Sequence, residues 1–214
     1  MVNAYIQAMY FTIMKRFIII NAGAFNMLIN NDTIIKDDNP LIREKSQEVE
    51  LPLSAENEQI LRDMFKYVKD STNEELAKKE NLRAAVGISA IQIGIPRKLT
   101  AVIVPDVDKD GNDIRWEFML ANPKITSSSI QKAFLTGGEG CLSVVEDHPG
   151  FVYRSARITF EAYDLVRKQN IRVRARGYLA IVLQHEFEHF DGTLFYDHID
   201  PKNPYHKIPG AIEI

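Results

Sequence analysis

The fold is decided by residues 177–190, which read GYLAIVLQHEFEHF. By periodicity alone, the apolar run 178–183 fits a buried strand as well as a buried helix. The H-E-x-x-H pattern from His185 to His189 favours a helix, because positions i and i+4 share one helix face and both imidazoles then reach one metal ion. Glu186 follows the first histidine and can face a metal-bound water as general base. We therefore predict a central helix over 177–190 that carries a metal site.

A surface helix turn with two solvated histidines is the alternative for this motif. The apolar residues directly upstream argue against it, because they place the helix in the interior, where a histidine pair needs partners. A catalytic site of the zinc type has three protein ligands and one open position. We predict the third ligand in GGEGCLS at 137–143, which contains the lone cysteine, Cys141; a bound ion would hold it as thiolate. Taken alone, Cys141 is more typical of a small buried hydrophobe.

Hydrophobic periodicity indicates helices and strands around this segment. Ser54 caps an amphipathic helix that runs to about Ala77. Strand patterns indicate two hairpins, 99–104 with 116–121 through a turn at Asp110-Gly111, and 157–163 with 170–174. After Gly192, three prolines interrupt the chain, and 211–214 is interpreted as a terminal β-strand. The expected fold is α+β, with small antiparallel sheets around the central metal-binding helix and the 54–77 helix packed outside.

The composition favours one catalytic domain. The chain has 214 residues, of which 45% are hydrophobic, and a formal net charge of -3, so it lacks the overall basic character of many nucleic-acid-binding proteins. A single cysteine excludes an intrachain disulfide. Residues 1–26 are apolar, with Lys15 and Arg16 in the middle, which fits neither a bilayer span nor a secretory signal. We predict a packed or fraying extension over 1–26, with a cleaved targeting peptide as the alternative, and a single domain over 27–214.

Three segments together resemble the signature motifs of peptide deformylases. They are AVGISAIQ at 85–92, EGCLS at 139–143 and QHEFEH at 184–189. The resemblance extends from about Met27 to the C-terminus. The segment 144–150 and the ending 195–200 look like those of the second class of bacterial deformylases.

Three positions depart from the residues that are usual in this family. They are Ala85, where glycine is usual, Ile91, where proline is frequent, and Glu188, where aspartate is common. None of them replaces a residue to which the resemblance gives a metal-binding or proton-carrying role.

The resemblance implies a metal-dependent hydrolase that removes the formyl group from the formyl-methionine of newly made peptides and releases formate. The residues that it implies are Cys141, His185 and His189 as metal ligands, Glu186 as proton carrier, and the amide of Gln92 and the backbone N–H of Leu142 as oxyanion donors. The resemblance also suggests that Glu139 and Arg154 form a salt bridge that holds the Cys141 loop, with a surface role for Arg154 as the alternative.

The substrate is expected to bind as an extended strand along the backbone of Val86, Gly87 and Gly140. Its methionine would enter an apolar pocket that is lined by Val86, Tyr178 and Ile181, and also by Val182. The alternative for these side chains, above all for Val182, is ordinary core packing.

The metal ion cannot be identified from the ligand types, because thiolate with imidazole suits zinc, iron, cobalt and nickel. The resemblance makes Fe2+ the expected cofactor, with Zn2+, Ni2+ or Co2+ as the alternatives. The expected partners are N-formyl-methionyl peptides in the cytoplasm, with transient proximity to the ribosome and neither direct nucleic-acid nor membrane binding. The three prolines argue against the ribosome-docking C-terminal helix of some deformylases.

Two other functions share part of this pattern. A zinc endopeptidase also uses H-E-x-x-H, and it predicts a third ligand downstream, for which His198 is available nine residues after His189. That interpretation leaves the Cys141 loop without a role. A non-catalytic, metal-stabilised interaction module predicts four protein ligands and no open position.

Overall fold

The computed structural model describes residues 18–21 and 24–214. The strands are β1 (Ile18–Asn21), β2 (Ala24–Met27), β3 (Gly87–Ser89), β4 (Leu99–Val107), β5 (Asp113–Ser128), β6 (Lys132–Phe134), β7 (Arg154–Ser155), β8 (Arg157–Asp164), β9 (Gln169–Arg176) and β10 (Ile212–Glu213). The α-helices are α1 (Ala55–Ser71), α2 (Glu74–Glu80) and α3 (Gly177–Glu188). β1 and β2 pair as an antiparallel hairpin. Most of the predicted extension over 1–26 lies outside the described residues. The division of the chain into this extension and a single domain over 27–214 stays a prediction.

A five-stranded antiparallel sheet forms the scaffold, in the order β3-β4-β5-β8-β9. Both predicted hairpins are present, and the structure is mixed α and β with antiparallel sheets, as expected. β5 is much longer than the predicted 116–121, because its first half pairs with β4 and its second half with β8. The pairing of β5 with β8 has two register shifts, between Ala121 and Lys124 and between Ile125 and Ser127, which is typical of β-bulges.

Helix α3 packs against the sheet through an apolar cluster that includes Leu183, Phe187, Phe118 and Phe160. The predicted helix over 177–190 is α-helical to Glu188 and continues as a 3-10 turn over His189–Asp191. Gly192 ends it with a φ of 72°. A Cβ at that position would lie 2.1 Å from the carbonyl oxygen of Arg43, so only glycine fits there.

The prediction of one helix over 54–77 is wrong. The Ser54 side chain caps α1 as predicted, but α1 ends at Ser71 and α2 begins at Glu74. Asn73 adopts an extended conformation between them, and its side chain accepts a hydrogen bond from the N–H of Leu76 at 3.1 Å. This new N-cap competes with continuation of α1.

The C-terminal strand is confirmed over a shorter range than 211–214. β10 pairs in parallel with β6, which pairs with β7 on its other side. Beyond α3, the described residues form only 3-10 turns and this strand, so no α-helix follows Glu188 there. None of the helices in the described ranges has the length and apolar character needed to cross a bilayer.

Candidate metal centre

Cys141, His185 and His189 lie together at the C-terminal end of α3. One potential ligand atom from each lies within 4.8 Å of the other two. Cys141 Sγ is 3.5 Å from His189 Nε2. A tetrahedral ion with ordinary bond lengths would separate a sulfur and a nitrogen ligand by about 3.6 Å. The three side chains that the sequence singled out therefore have a spacing that suits one metal ion.

His185 is oriented by a buried chain of charges. Its Nδ1 lies 2.8 Å from Glu139 Oε2, which leaves Nε2 free for the cluster. Glu139 in turn accepts two hydrogen bonds from Arg154, at 2.6 and 2.9 Å, so the predicted salt bridge is present. Carboxylates commonly orient metal-binding histidines in this way.

The charge chain continues from Arg154 to the surface. Arg154 also donates to Glu188 Oε2 at 2.9 Å, and the same oxygen lies 2.8 Å from His198 Nε2. His198 is thus engaged by Glu188 and does not belong to the cluster of three. The residue that lies with His185 and His189 is Cys141, not the His198 that an endopeptidase would use as its third ligand.

Burial and ion pairing oppose each other in this chain of charges. Burial would raise the pKa of Glu139, but hydrogen bonds from His185 and Arg154 outweigh it and lower this pKa to about 2. Burial would lower the pKa of His185, but hydrogen bonds to Cys141 and Glu139 raise it to about 10. The charged form of Glu139 is thus stabilised by both of its neighbours, Arg154 and His185.

His189 has the opposite electrostatics. Burial, followed by repulsion from His185, lowers its pKa well below the ordinary value. The neutral imidazole that results is the form that binds metals. His189 is only 1% exposed, and its Nδ1 has no hydrogen-bond partner among the described residues. A metal ion on Nε2 would offset part of the cost of burying this ring, so the donor set fits a resident ion.

Glu186 is held by a serine of β3. Its Oε2 lies 2.8 Å from Ser89 Oγ, and the Glu186 carbonyl oxygen lies 2.9 Å from the same Oγ, so the single hydroxyl proton is within reach of both acceptors. Burial raises the pKa of Glu186 above its ordinary value. Gly87 lies directly against this side chain, since a Cβ there would be 2.6 Å from Oε1. Gly87 therefore has a steric role beside the backbone role that the sequence suggested.

Gln92 links the first motif to the cysteine loop. Its Oε1 accepts from the N–H of Ser89 at 2.8 Å, which fixes the amide within the 3-10 turn Ala90–Ile93. Its Nε2 lies 3.4 Å from Cys141 Sγ and 3.3 Å from Ser143 Oγ. The amide that the sequence suggested as an oxyanion donor is thus held beside the metal cluster.

An open cleft of about 320 Å³ leads to the cluster. The candidate residues that line it are Val86, Gly87, Gln92, Gly140, Cys141, Leu142, Tyr178, Ile181, Val182, His185 and Glu186. His189 is not among the residues that line this cleft. Val182 belongs both to the wall and to the apolar core, which agrees with the two interpretations of this residue.

Sequence reasoning missed several residues that hold the site. Ser89 binds Glu186, and Ser143 binds Gln92. Ser89 and Ser143 both lie inside the motifs quoted above, in segments that are otherwise largely apolar. A hydroxyl in such a segment indicates a buried hydrogen bond, and sequence reasoning could have used that signal. Arg83 and Lys36 contact the cysteine loop from distant segments, and nothing in the local sequence pattern indicates those contacts.

Comparison with known proteins shows that the chain is similar to peptide deformylases. The pattern of the family described as polypeptide deformylase matches residues 31–205. The chain is 43% identical over 187 residues to a peptide deformylase of Staphylococcus epidermidis, which covers 87% of this chain and 100% of that protein. It is 44% identical over 187 residues to peptide deformylase 2 of Bacillus subtilis, with coverages of 87% and 99%.

Solved structures agree with these relatives. The peptide deformylase of Thermus thermophilus matches with a TM-score of 0.60 at 25% identity, over 80% of this chain and 88% of that chain. A probable peptide deformylase from a Synechococcus phage matches with a TM-score of 0.58 at 26% identity, over 78% and 98%.

Proposed function

Because the chain belongs to the polypeptide deformylase family, we propose that Cys141, His185 and His189 hold its catalytic metal ion and that Glu186 carries the protons. The chain is a peptide deformylase, a hydrolase that removes the N-formyl group from newly made peptides. The observation that supports these assignments best is the convergence of one thiol and two imidazoles beside an open cleft that Cys141 and His185 line.

When bound, the metal ion acts as a Lewis acid and lowers the pKa of a water molecule. Glu186 lines the cleft, and burial raises its pKa, which suits a group that accepts a proton from water and later gives it to the departing amine. Ser89 keeps the carboxylate in place.

Negative charge develops on the formyl oxygen during the reaction. In our proposal, the side-chain amide of Gln92 and the backbone N–H of Leu142 donate to that oxygen. Both residues line the cleft beside Cys141, and preorganised donors of this kind are worth about a hundredfold or more in rate each.

We propose that the peptide substrate adds a strand along β3. Among the described strands, β3 has a neighbour on one side only, which is β4. A free strand edge pairs readily with an extended peptide. Gly87 at this edge and Gly140 across the cleft would provide the backbone groups, and Val86, Tyr178 and Ile181 would contact the methionine side chain.

The resident ion is proposed to be Fe2+ on family grounds, with Zn2+, Ni2+ and Co2+ as the alternatives that the ligand set allows. We also propose that the enzyme works in the cytoplasm close to the ribosome, because its substrates are peptides that have just been made.

Formate release from formyl-Met-Ala-Ser by anaerobically prepared protein tests the proposal. At equal metal content, Glu186→Gln is expected to lower kcat by about a hundredfold to ten-thousandfold. Cys141→Ser is expected to lose its metal on dialysis, whereas the parent protein retains it. A fully metallated parent without formate release would refute the assignment of the reaction, and full metal retention by Cys141→Ser would refute the ligand set.

A further inference from the structure

The cysteine loop contains a tight turn whose carbonyl groups all accept hydrogen bonds. The Cys141 oxygen accepts from the N–H of Val144 at 3.2 Å and from Arg83 at 3.1 Å. The Val144 oxygen accepts from the same Arg83 nitrogen at 2.9 Å. The Ser143 oxygen accepts from the backbone N–H of Asp37 at 2.8 Å. One guanidinium therefore joins the first and last carbonyls of the turn 141–144.

Lys36 holds the remaining carbonyl of the turn. Its Nζ donates to the Leu142 oxygen at 2.9 Å and to Asn31 Oδ1 at 3.0 Å. The loop is thus anchored from outside by two cations. In contrast, the N–H of Leu142 has no hydrogen-bond partner among the residues that the structure describes.

The geometry of the peptide bond connects these two observations. The Cys141 carbonyl and the Leu142 N–H belong to one planar trans peptide unit, in which they point in opposite directions. Donors that fix the carbonyl therefore fix the direction of the N–H. Leu142 lines the cleft, and a hydrogen bond to the carbonyl of a peptide also strengthens the N–H of that peptide as a donor.

Arg83 is itself well supported. It lies between α2 and β3, and its carbonyl oxygen accepts a hydrogen bond of 2.9 Å from the hydroxyl of Tyr67, a residue of α1 that is 3% exposed. The backbone of Arg83 is thus tied to the core, while its guanidinium reaches the turn.

We propose that Arg83 is a positioning residue that fixes the Cys141–Leu142 peptide and aims the Leu142 N–H at the formyl oxygen of the substrate. The inference rests on the proposed function, and it adds a specific device for holding one oxyanion donor. Arg83 acts through the peptide and touches none of the reacting atoms in this role.

The test compares Arg83→Met with Arg83→Lys and with Arg62→Met. Methionine keeps most of the apolar stem but removes the donors, whereas lysine keeps one cationic donor. Arg62 is the matched control, since it lies exposed on α1 and pairs with Glu58 at 3.0 Å. Formate release gives kcat and KM at equal metal content, and thermal unfolding is followed in parallel.

A second measurement does not depend on activity. Zinc-loaded protein labelled with 15N-leucine gives a Leu142 amide resonance, which can be assigned from its loss in a Leu142→Met variant. Because carbonyl and N–H share one conjugated peptide unit, loss of the Arg83 donors is expected to move this resonance, and Arg62→Met is expected to leave it in place.

We expect Arg83→Met to lower kcat about tenfold to a hundredfold, with KM within about threefold of the parent, and Arg83→Lys to lie between them. Unchanged kcat, or a fall in kcat that accompanies lost metal or a lower unfolding midpoint, would overturn the proposal. If the parent itself released no formate, the proposed function would fail, and the Leu142 resonance would still decide whether Arg83 holds the peptide.

Discussion

A methyl group added at Gly87 tests how closely the site is built around Glu186. The Cβ of an alanine there would lie 2.6 Å from Oε1 of Glu186, 2.8 Å from its Cδ and 2.9 Å from its Cγ. Ordinary contacts of a Cβ begin at 3.4 Å, so the carboxylate would have to move by roughly 0.8 Å, and a misplacement of about 1 Å costs on the order of a hundredfold in rate. This displacement also strains the 2.8 Å hydrogen bond from Ser89.

Gly87→Ala is therefore expected to lower kcat for formyl-Met-Ala-Ser about a hundredfold, which corresponds to roughly 2.7 kcal/mol of transition-state free energy. Metal content is expected to equal that of the parent, because the three atoms nearest to the added Cβ all belong to Glu186 and none to a proposed ligand. Gly137→Ala is the matched control, since a Cβ there meets nothing within 4 Å. Gly87→Ala activity within about threefold of the parent would refute the reasoning and show that Glu186 relaxes freely.

Two further predictions concern the charge chain behind His185. Arg154→Met leaves the buried Glu139 without its cation and is expected to lower the free energy of unfolding by about 3–5 kcal/mol in urea denaturation, whereas the double variant with Glu139→Gln recovers part of this loss. A single variant as stable as the parent would contradict that account. The hydrogen bond to Glu188 raises the pKa of His198, so the pair stabilises the fold fully below the ordinary histidine pKa and loses this contribution as pH rises through the raised pKa. His198→Gln should therefore lower the free energy of unfolding more at about pH 6 than at about pH 9, by at most about 1 kcal/mol for this partly exposed pair. An equal loss at both pH values would argue against this account.

The proximity of Cys141, His185 and His189 could be predicted from two local sequence patterns. His185 and His189 are four residues apart on one helix, and Cys141 is the lone cysteine within a glycine-rich loop. The main error concerned the helix after Ser54, because the apolar pattern continues past Ser71 while the Asn73 side chain starts a new helix. Hydrophobic periodicity indicates which face of a helix is buried. It does not indicate whether a polar side chain forms a hydrogen bond with the backbone that ends one helix and starts another.

The supporting contacts of the site could not be predicted, since they join segments that are far apart in sequence. Arg83 and Cys141 are 58 positions apart, and Ser89 and Glu186 are 97 apart. Each contact depends on how two loops approach after the sheet has formed. A hydrogen bond from a side chain to a distant carbonyl has no periodicity that a sequence pattern would reveal.

Two of the three departures from the usual family residues, Ile91 and Glu188, have physical explanations in the structure. Ile91 is the second residue of the 3-10 turn Ala90–Ile93, where the N–H has no partner within the turn, so proline and isoleucine fit equally well. The Ile91 side chain is fully buried and packs beside Cys141 in an apolar cluster. Glu188 has one methylene more than aspartate, and its Oε2 contacts both Arg154 and His198. Neither Ile91 nor Glu188 lines the cleft, so we expect these two changes to alter stability more than the reaction.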